Sequence, residues 1–423
     1  MSKPTIAIIG SGISGIATAW LLQKQYQVTI FERNNYLGGH TNTIEVKAGQ
    51  QVIPVDTGFI VYNQANYPHL TAFFNWLDVR TQPTDMSFSV SVNNGELEYA
   101  GSNLNTLFCQ RRQLISSKFW QLLADIIRFN HLAKKFLASN PSADVTMKSF
   151  LQDNKFNPFF NLNYLLPMAA AIWSCPINKM LQFPATSLLR FFYNHGLLNI
   201  TDRPQWHSVC NGSYHYIKAF LARFNGTWKL SQPIKTVIRH KNYTTVITTS
   251  NQQQQFDQVI FACHANQALQ LLDKPSPQEA SILNAFNYQK NIAVLHSDNR
   301  LMPTNRRAWS AWNYQRTQQN SQVSVTYWIN LLQRLTTEQQ FFVTLNPVVE
   351  PIPKKTIKII EYQHPVFNTA AIQAQQELAS IQGQKRSWFC GSYTGYGFHE
   401  DGFKSALSVA NLLNCEAPWQ QMN

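Results

Sequence analysis

A strand, a glycine-rich turn, a helix and a second strand follow one another within the first 31 residues, and this order constrains the fold most. The aliphatic run Thr5–Ile9 is typical of a short buried strand, and Gln27–Phe31 repeats the pattern. Between them, a glycine-rich turn over 10–15 opens an apolar stretch over 16–22 that predicts a helix. Two strands joined through a helix lie parallel in one sheet, so the sequence predicts an α/β fold.

The turn has the G-x-G-x-x-G spacing of a dinucleotide site, in the strand-to-helix context that gives this motif its meaning. Gly12 would let the backbone approach a pyrophosphate at the helix N-terminus, and Glu32, at the end of the second strand, would bind ribose hydroxyls. The alternative is a glycine-rich turn without ligand. The predicted contacts in this segment are Gly10, Ser11, Gly12, Ile13, Ser14, Gly15 and Glu32.

A second glycine motif follows the acid directly. Arg33-Asn-Asn-Tyr-Leu-Gly38-Gly39 has two adjacent glycines whose N–H groups could meet a phosphate, although an ordinary β-turn would also explain them. This extension resembles the second signature of the flavin amine oxidase and phytoene desaturase superfamily. The resemblance implies FAD rather than NAD, with Arg33, Gly38, Gly39, His40 and Thr41 near it.

The C-terminal segment resembles a third part of the same superfamily. There, a strand, a loop and a helix N-terminus approach the flavin, which implies contacts from Gly391, Ser392 and Phe403. Ser392 is a departure, because the superfamily usually has an acid at that place, and Asp401 is a candidate substitute. The resemblance also implies that the backbone near Val237 meets adenine.

Several phrases narrow the resemblance, among them Gly38-Gly-His-Thr-Asn-Thr43 and Gly397-Phe-His-Glu-Asp-Gly402. Together they look like a bacterial group of NAD/FAD-binding amine-oxidase-like proteins associated with cyclopropane fatty acid synthases. The resemblance implies an FAD-dependent oxidoreductase that oxidises or desaturates an apolar acyl lipid, beside a lipid methyltransferase or cyclopropane synthase-like partner. A redox-neutral isomerase, an amine oxidase and a non-catalytic flavin-bound partner remain alternatives.

The remaining pattern predicts a Rossmann-like FAD-binding domain interleaved with a mixed-sheet and helical substrate domain. The helices are predicted over 114–137, 187–198, 369–381 and 402–413, and the later strands over 234–239, 244–249, 258–262, 323–330, 356–362 and 387–390. The FAD-binding segments are predicted at 1–75, 205–272 and 384–423. The substrate segments are predicted at 76–204, mainly helical, and at 273–383.

Residues for the chemical step are harder to find from sequence. His40, His399 and Tyr393 are weak catalytic candidates because the motifs place them beside the flavin. No metal-ligand spacing occurs, so we predict no metal. Oxidation of an unactivated C–H bond needs apolar walls, which the helical segment offers, although most such residues are expected to be core. They are Phe159, Phe160, Leu165, Leu166, Met168, Trp173, Phe183, Phe191 and Phe192.

The basic charge balance admits nucleic acid or an anionic membrane surface as a partner, and no nucleic-acid recognition motif accompanies it. Lys and Arg number 35 against 22 Asp and Glu, yet charged residues are 13% of the chain. Part of the excess lies in 107–137, where Phe119, Leu122, Leu123 and Ile126 share one face of a basic helix. We therefore expect contact with an anionic membrane surface, although a solvated basic face would also fit. Without an apolar run that could span a bilayer or a leader sequence, we expect a cytoplasmic, peripherally bound protein.

Overall fold

The computed structural model describes residues 2–139, 141, 145–173, 177–316 and 324–420. The strands of the N-terminal half are β1 (Thr5–Ile9), β2 (Gln27–Phe31), β3 (Thr43–Ala48), β4 (Gln51–Asp56), β5 (Val61–Asn63), β6 (Thr81–Thr84), β7 (Phe88–Val92), β8 (Leu97–Ala100) and β9 (Trp206–Val209). Those of the C-terminal half are β10 (Thr227–Lys229), β11 (Ile234–Arg239), β12 (Thr244–Thr248), β13 (Gln253–Phe256), β14 (Gln258–Phe261), β15 (Asn287–His296), β16 (Trp312–Arg316), β17 (Ser324–Trp328), β18 (Phe342–Leu345), β19 (Thr356–Val366) and β20 (Ser387–Phe389).

The helices alternate with these strands and concentrate between β8 and β9. They are α1 (Ile13–Leu22), α2 (Pro68–Trp76), α3 (Leu104–Leu107), α4 (Ser117–Ala138), α5 (Met147–Asp153), α6 (Pro158–Phe160), α7 (Leu166–Trp173), α8 (Ile177–Met180), α9 (Ala185–Asn194), α10 (Tyr214–Leu221), α11 (Ala265–Leu271), α12 (Pro277–Asn284), α13 (Ile329–Leu332), α14 (Thr369–Glu377) and α15 (His399–Leu412).

A five-stranded sheet forms the nucleotide-type half, in the order β10-β2-β1-β14-β20. All of its strand pairs are parallel, and β1 lies at the centre with Ile6 and Ile8 fully buried. A central parallel strand is covered on both faces, which explains its continuous aliphatic sequence. The predicted β-α-β unit at the N-terminus is therefore confirmed, with the predicted strand bounds.

A seven-stranded sheet forms the second half, in the order β19-β15-β18-β17-β16-β7-β8. Its pairs are antiparallel except β16 with β7, so the sheet is mixed. Smaller sheets, β11-β12-β13, β3-β4 and β5-β9-β6, complete the strand pairing. These features confirm the predicted α/β class with a Rossmann-like part and a mixed-sheet part, whereas the domain boundaries stay a prediction.

The apolar residues of the helical region mainly form a hydrophobic core, and fewer of them are free to line a substrate site. Most of the aromatic and aliphatic residues singled out there are buried against one another and against the seven-stranded sheet, among them Phe160, Leu165, Leu166, Phe183 and Phe192. The predicted helix over 187–198 is α9, and the one over 114–137 is α4, which a short 3₁₀ turn precedes.

The apolar face expected on the basic helix is not open to a membrane. Phe119 and Leu122 in α4 are buried in the core, and Leu123 and Ile126 are partly buried against it. The periodicity was that of a helix packed on a domain, and the side chains that lie outward include cations together with Trp120 and Ile127. In the described part of the chain, no helix combines the length and the apolar character needed to cross a bilayer.

Candidate functional site

One cavity of about 900 Å³ connects the glycine motifs with the helical region and the mixed sheet. Most of the site residues predicted from sequence line it: Gly10, Ser11, Gly12, Ile13, Ser14, Glu32, Arg33, Gly38, Gly39, His40, Gly391, Ser392, Tyr393 and His399. Five predicted residues do not form its wall: Gly15, Thr41, Val237, Asp401 and Phe403. Their assignment to the cofactor, like that of the lining residues, stays a prediction.

The first glycine loop has the shape that a bound phosphate group would need. Gly10 has φ of +107°, and a Cβ there would lie 2.6 Å from the Ala262 carbonyl oxygen, so only glycine fits. A Cβ at Gly12 would meet no atom within 4 Å, because this residue faces the cavity. Helix α1 begins at Ile13 without a side-chain cap, which leaves its first backbone N–H groups for a ligand.

Glu32 is buried beside this loop and is held in place by the chain itself. Its carboxylate accepts a hydrogen bond from the Ser11 hydroxyl at 2.6 Å and from the Asn34 amide at 2.8 Å. The carboxylate therefore lies at the cavity wall in a fixed orientation, at the carboxyl edge of the parallel sheet. This is the position from which an acid could accept hydrogen bonds from ribose hydroxyls.

The second glycine motif packs directly on the first. The Gly38 amide donates to the Ser11 carbonyl oxygen at 3.0 Å, and Gly38 and Gly39 both have positive φ. A Cβ at Gly39 would lie 3.1 Å from the Gly12 Cα, so the two loops touch backbone to backbone. The open space at Gly12 and this close approach form a cradle without side chains, which fits a pyrophosphate-bearing cofactor.

The predicted residues outside the wall support the cavity from behind. Thr41 joins Tyr216 and His399 in a buried hydrogen-bond group, at 2.6 and 3.0 Å. Asp401 accepts the Phe398 amide at 2.9 Å and so caps α15, while Phe403 packs in the core. Val237 is buried within β11, whose first residue, Ile234, is the one that lines the cavity.

The C-terminal loop also lines the cavity, through Gly391, Ser392 and Tyr393. The Gly391 amide donates to the Ser405 hydroxyl of α15 at 2.9 Å, which fixes the loop on that helix. Tyr393 is buried with its ring centre 4.8 Å from that of Phe286. Its hydroxyl has no hydrogen-bond partner within the part of the chain that is described.

Three partly buried histidines, His40, His264 and His364, line the cavity. The ring centre of His40 lies 4.8 Å from that of Tyr362 and 5.2 Å from that of His364. Burial lowers the pKa of His40 to about 4, and burial together with the neighbouring imidazoles lowers those of His264 and His364 to about 3. At neutral pH these side chains are therefore uncharged.

Sequence reasoning missed His264, His364 and their aromatic neighbours Tyr288 and Tyr362. His264 stacks on Tyr288 at 4.3 Å, and both line the cavity. One signal could have found His264, since it follows the carboxyl end of β14, where sites in parallel sheets form. The others come from β15 and β19, and only the pairing of these two strands brings them to the site.

His399 is held between the two halves of the cavity. Its ring stacks on Phe59 at 3.7 Å, and its Nε2 lies 3.0 Å from the Thr41 hydroxyl. Burial and the neighbouring His40 hold its pKa well below the usual range, so the ring is neutral. Among the described residues, no three His, Cys, Asp or Glu side chains gather in an arrangement that could hold a metal ion.

The far half of the cavity is apolar and aromatic. Three of the aromatic or apolar residues expected from the helical segment reach it: Met168, Trp173 and Phe191. Ile172 of α7 also reaches it, and further residues come from the mixed sheet, the residue that follows β19, and the C-terminal loop: Phe88, Trp312, Tyr327, Leu345, Phe367, Tyr396 and Phe398. The charged residues among the described lining are Glu32, Arg33 and Glu361, and Glu361 pairs with Lys290.

The N-terminal sequence matches known proteins. Residues 8–77 match the family model of the NAD(P)-binding Rossmann-like domain. A stretch of 40 residues is 55% identical to the 1-hydroxycarotenoid 3,4-desaturase of Flavobacterium sp. strain P99-3. This stretch covers 9% of the chain and 8% of the desaturase, so the match spans less than a tenth of either protein.

Solved structures match over the whole chain. Cyclohexylamine oxidase from Brevibacterium oxydans IH-35A superposes with a TM-score of 0.69 and 14% identity, covering 98% of this chain and 100% of that one. A CLA-producing fatty acid isomerase from P. acnes gives 0.66 and 14%, covering 98% and 99%. At these identities the likeness shows the fold. The N-terminal sequence is therefore similar to a Rossmann-like domain and to part of a carotenoid desaturase, and the fold is similar to that of the cyclohexylamine oxidase and the fatty acid isomerase.

Proposed function

We propose that the chain is an FAD-dependent oxidoreductase that oxidises or desaturates an apolar acyl chain. The observation that carries the proposal is the continuity of one cavity from the glycine cradle into an aromatic half without charged side chains. An apolar chain would lose little by leaving water for such walls, whereas an ammonium group would find the faces of aromatic rings but, among the described lining residues, no carboxylate other than Glu32 and the Lys290-paired Glu361.

The residues present fit FAD. The cradle of Gly10, Gly12 and Gly39 with the start of α1 would hold the pyrophosphate, and Glu32 would hold the adenosine ribose. The chemistry that a bound flavin would supply is the uptake of a hydride from a substrate carbon. The walls of the aromatic half exclude water and orient the substrate carbon.

Desaturation also releases a proton from the carbon next to the one that loses hydride. His195 lines the aromatic half, and its Nδ1 donates to the Phe191 carbonyl oxygen at 2.9 Å. This hydrogen bond leaves Nε2 with a lone pair, because a carbonyl oxygen can only accept. His195 Nε2 is therefore the proton acceptor in our proposal.

The first experiment is an anaerobic reduction assay. Purified protein reconstituted with FAD is mixed in a stopped-flow instrument with acyl lipids, with free fatty acids and with a panel of primary amines. Bleaching of the flavin absorbance by an acyl substrate, with a new double bond in the recovered lipid, is the expected result. Protein that stays colourless after addition of FAD would contradict the cofactor, and flavin reduction by amines alone would contradict the substrate class.

A redox-neutral isomerisation is the second candidate. It is favoured by the likeness to the fatty acid isomerase, which has the same fold and 14% identity. The two reactions differ in their balance, since an oxidation transfers two electrons to an acceptor in every turnover and an isomerisation transfers none. Double-bond migration in the recovered lipid without consumption of oxygen or of an added quinone would decide for the isomerase.

A further inference from the structure

Exposed apolar side chains are concentrated just before α4. Leu104, Leu114, Ile115 and Trp120 all lie on the surface, and Ile115 is 91% exposed. We call these four residues the docking patch. Isolated exposed apolar residues are ordinary in soluble proteins, but four within 17 residues mark a surface that contacts something apolar.

The docking patch is built into the fold. The Trp120 indole N–H donates to the Leu114 carbonyl oxygen at 2.9 Å, and its ring packs 5.5 Å from that of the buried Phe108. Ser116 caps α4 by accepting the Phe119 amide. The patch therefore has a fixed shape, set by a 3₁₀ turn at Arg111–Ile115 and the first turn of α4.

Cations surround the docking patch. Arg111, Arg112 and Lys118 are exposed, and the Arg111 guanidinium is tied to the Phe108 carbonyl oxygen at 2.8 Å. The nearby carboxylates are few. Asp125 is buried and bonded to Arg128, and Glu98 is buried and accepts from Ser91 and from the Thr304 and Asn305 amides. The exposed Glu96 remains, and its backbone oxygen accepts from Arg112.

We propose that the docking patch binds an anionic lipid bilayer. Leu114 and Ile115 would enter the boundary of the acyl chains, Trp120 would lie at the headgroup level, and the guanidinium groups would face lipid phosphates. A second copy of the chain fits less well, because a two-fold contact would bring the same cations together. The inference goes beyond the proposed reaction and does not depend on it.

Vesicle flotation tests this inference with the full-length, FAD-loaded protein. Vesicles of phosphatidylcholine with phosphatidylglycerol are compared with vesicles of phosphatidylcholine alone. We expect binding to the anionic vesicles, and a fall in the partition coefficient of about tenfold or more in Ile115→Asp, since the change puts a charge into the acyl boundary. The matched control is Val349→Asp, which changes another exposed aliphatic residue.

A second pair of variants separates the effect of the charges around the docking patch on vesicle binding from the effect of the net charge of the chain. Arg111→Gln/Arg112→Gln/Lys118→Gln should lose binding to anionic vesicles by about tenfold or more, because each cation near an anionic bilayer contributes to the attraction. Lys24→Gln/Lys241→Gln/Lys358→Gln removes the same charge elsewhere on the exposed surface and should keep it. Circular dichroism and flavin content show that each variant is folded.

Three results would overturn the inference. The first is that the wild-type protein binds neither kind of vesicle, and the second is that the control variants lose as much binding as the patch variants. The third is that sedimentation shows a dimer that Ile115→Asp dissociates, which would assign the docking patch to self-association.

Discussion

Gly12 is a position at which a substitution should weaken cofactor binding without disturbing the fold. Its φ of −64° and ψ of −179° suit a β-branched residue, and a side chain there would project into empty space in the cavity. Gly12→Val should therefore fold, with a melting temperature within about 3 °C of wild type. It should lose flavin affinity by about tenfold or more, which corresponds to about 1.4 kcal/mol.

The measurement is the ratio of flavin to protein absorbance after dialysis, with thermal melts beside it. Gly101→Val is the control, because a Cβ at this exposed glycine also meets no atom within 4 Å. Equal flavin content in Gly12→Val and wild type would show that the cradle does not face a cofactor.

His195 tests the proton transfer of the proposed reaction. His195→Phe keeps the stacking on Phe191, where the ring centres are 3.8 Å apart, but removes the Nε2 lone pair. The rate of flavin reduction by substrate should fall by about 100-fold or more, while flavin content stays unchanged. Substitution of the exposed His215 by Phe should leave the rate as it is, and an unaffected rate in His195→Phe would remove this histidine from the mechanism.

Local sequence was sufficient to predict the residues of the glycine motifs as one group. Gly12, Glu32 and Gly39 lie together because a strand, a turn and a helix determine one another over short distances. His364 could not be predicted in this way, since it reaches the cavity only through the pairing of β19 with β15. On β11 the predicted strand is confirmed, whereas the contact of the backbone near Val237 with adenine stays a prediction.

At the scale of elements, α1 and α15 meet where both approach the cavity. A Cβ at Gly402 in α15 would lie 2.7 Å from Ile13 Cγ2 and 2.8 Å from Ser14 Oγ, so the missing side chain allows this close contact. The N-terminal start of α15 at His399, earlier than the predicted 402, follows from the cap that Asp401 gives to the Phe398 amide.

Gly402→Val should push the two helices apart. We expect a loss of about 1–3 kcal/mol in the free energy of unfolding, because the added carbons overpack a closed contact. Flavin affinity should fall as well, since Ile13 and Ser14 belong to the cavity wall. Denaturant titrations measure the first effect and flavin retention the second.

Ser408→Val is the control for that substitution. It places the same β-branched side chain on an exposed position of α15 and should change the unfolding free energy by a few tenths of a kcal/mol. If Gly402→Val were no more destabilising than Ser408→Val, the contact between α1 and α15 would not be closely packed.

For the whole molecule, buried neutral histidines make stability depend on pH. Their pKa values are lowered in the folded state, so the unfolded chain binds more protons and acid favours unfolding. His296 is one of them and lies outside the cavity, with a pKa that burial lowers to about 4 although Asp298 opposes the shift. Its contribution is present above pH 6.5 and is lost as pH falls towards 4.

Between pH 7 and pH 5, each such histidine should remove about 2 kcal/mol of unfolding free energy. In His296→Asn the decrease between these two pH values should be smaller than in wild type by about that amount, as measured by urea titration. The exposed His215→Asn should leave the decrease unchanged. An identical decrease in His296→Asn and wild type would mean that His296 is protonated in the folded protein.

The strand order β10-β2-β1-β14-β20 has a consequence for experiments that use fragments of this protein. The segment that matches the Rossmann-like model ends at residue 77, and the chain up to that point contains only β1 and β2 of these five strands. A fragment cut there would leave both edges of β1-β2 open and would lack Ala262 and Gly391, which close the cavity over the glycine loops. The nucleotide-binding half is therefore completed only when the last strand of the chain is in place, so no contiguous N-terminal piece should inherit its ligand.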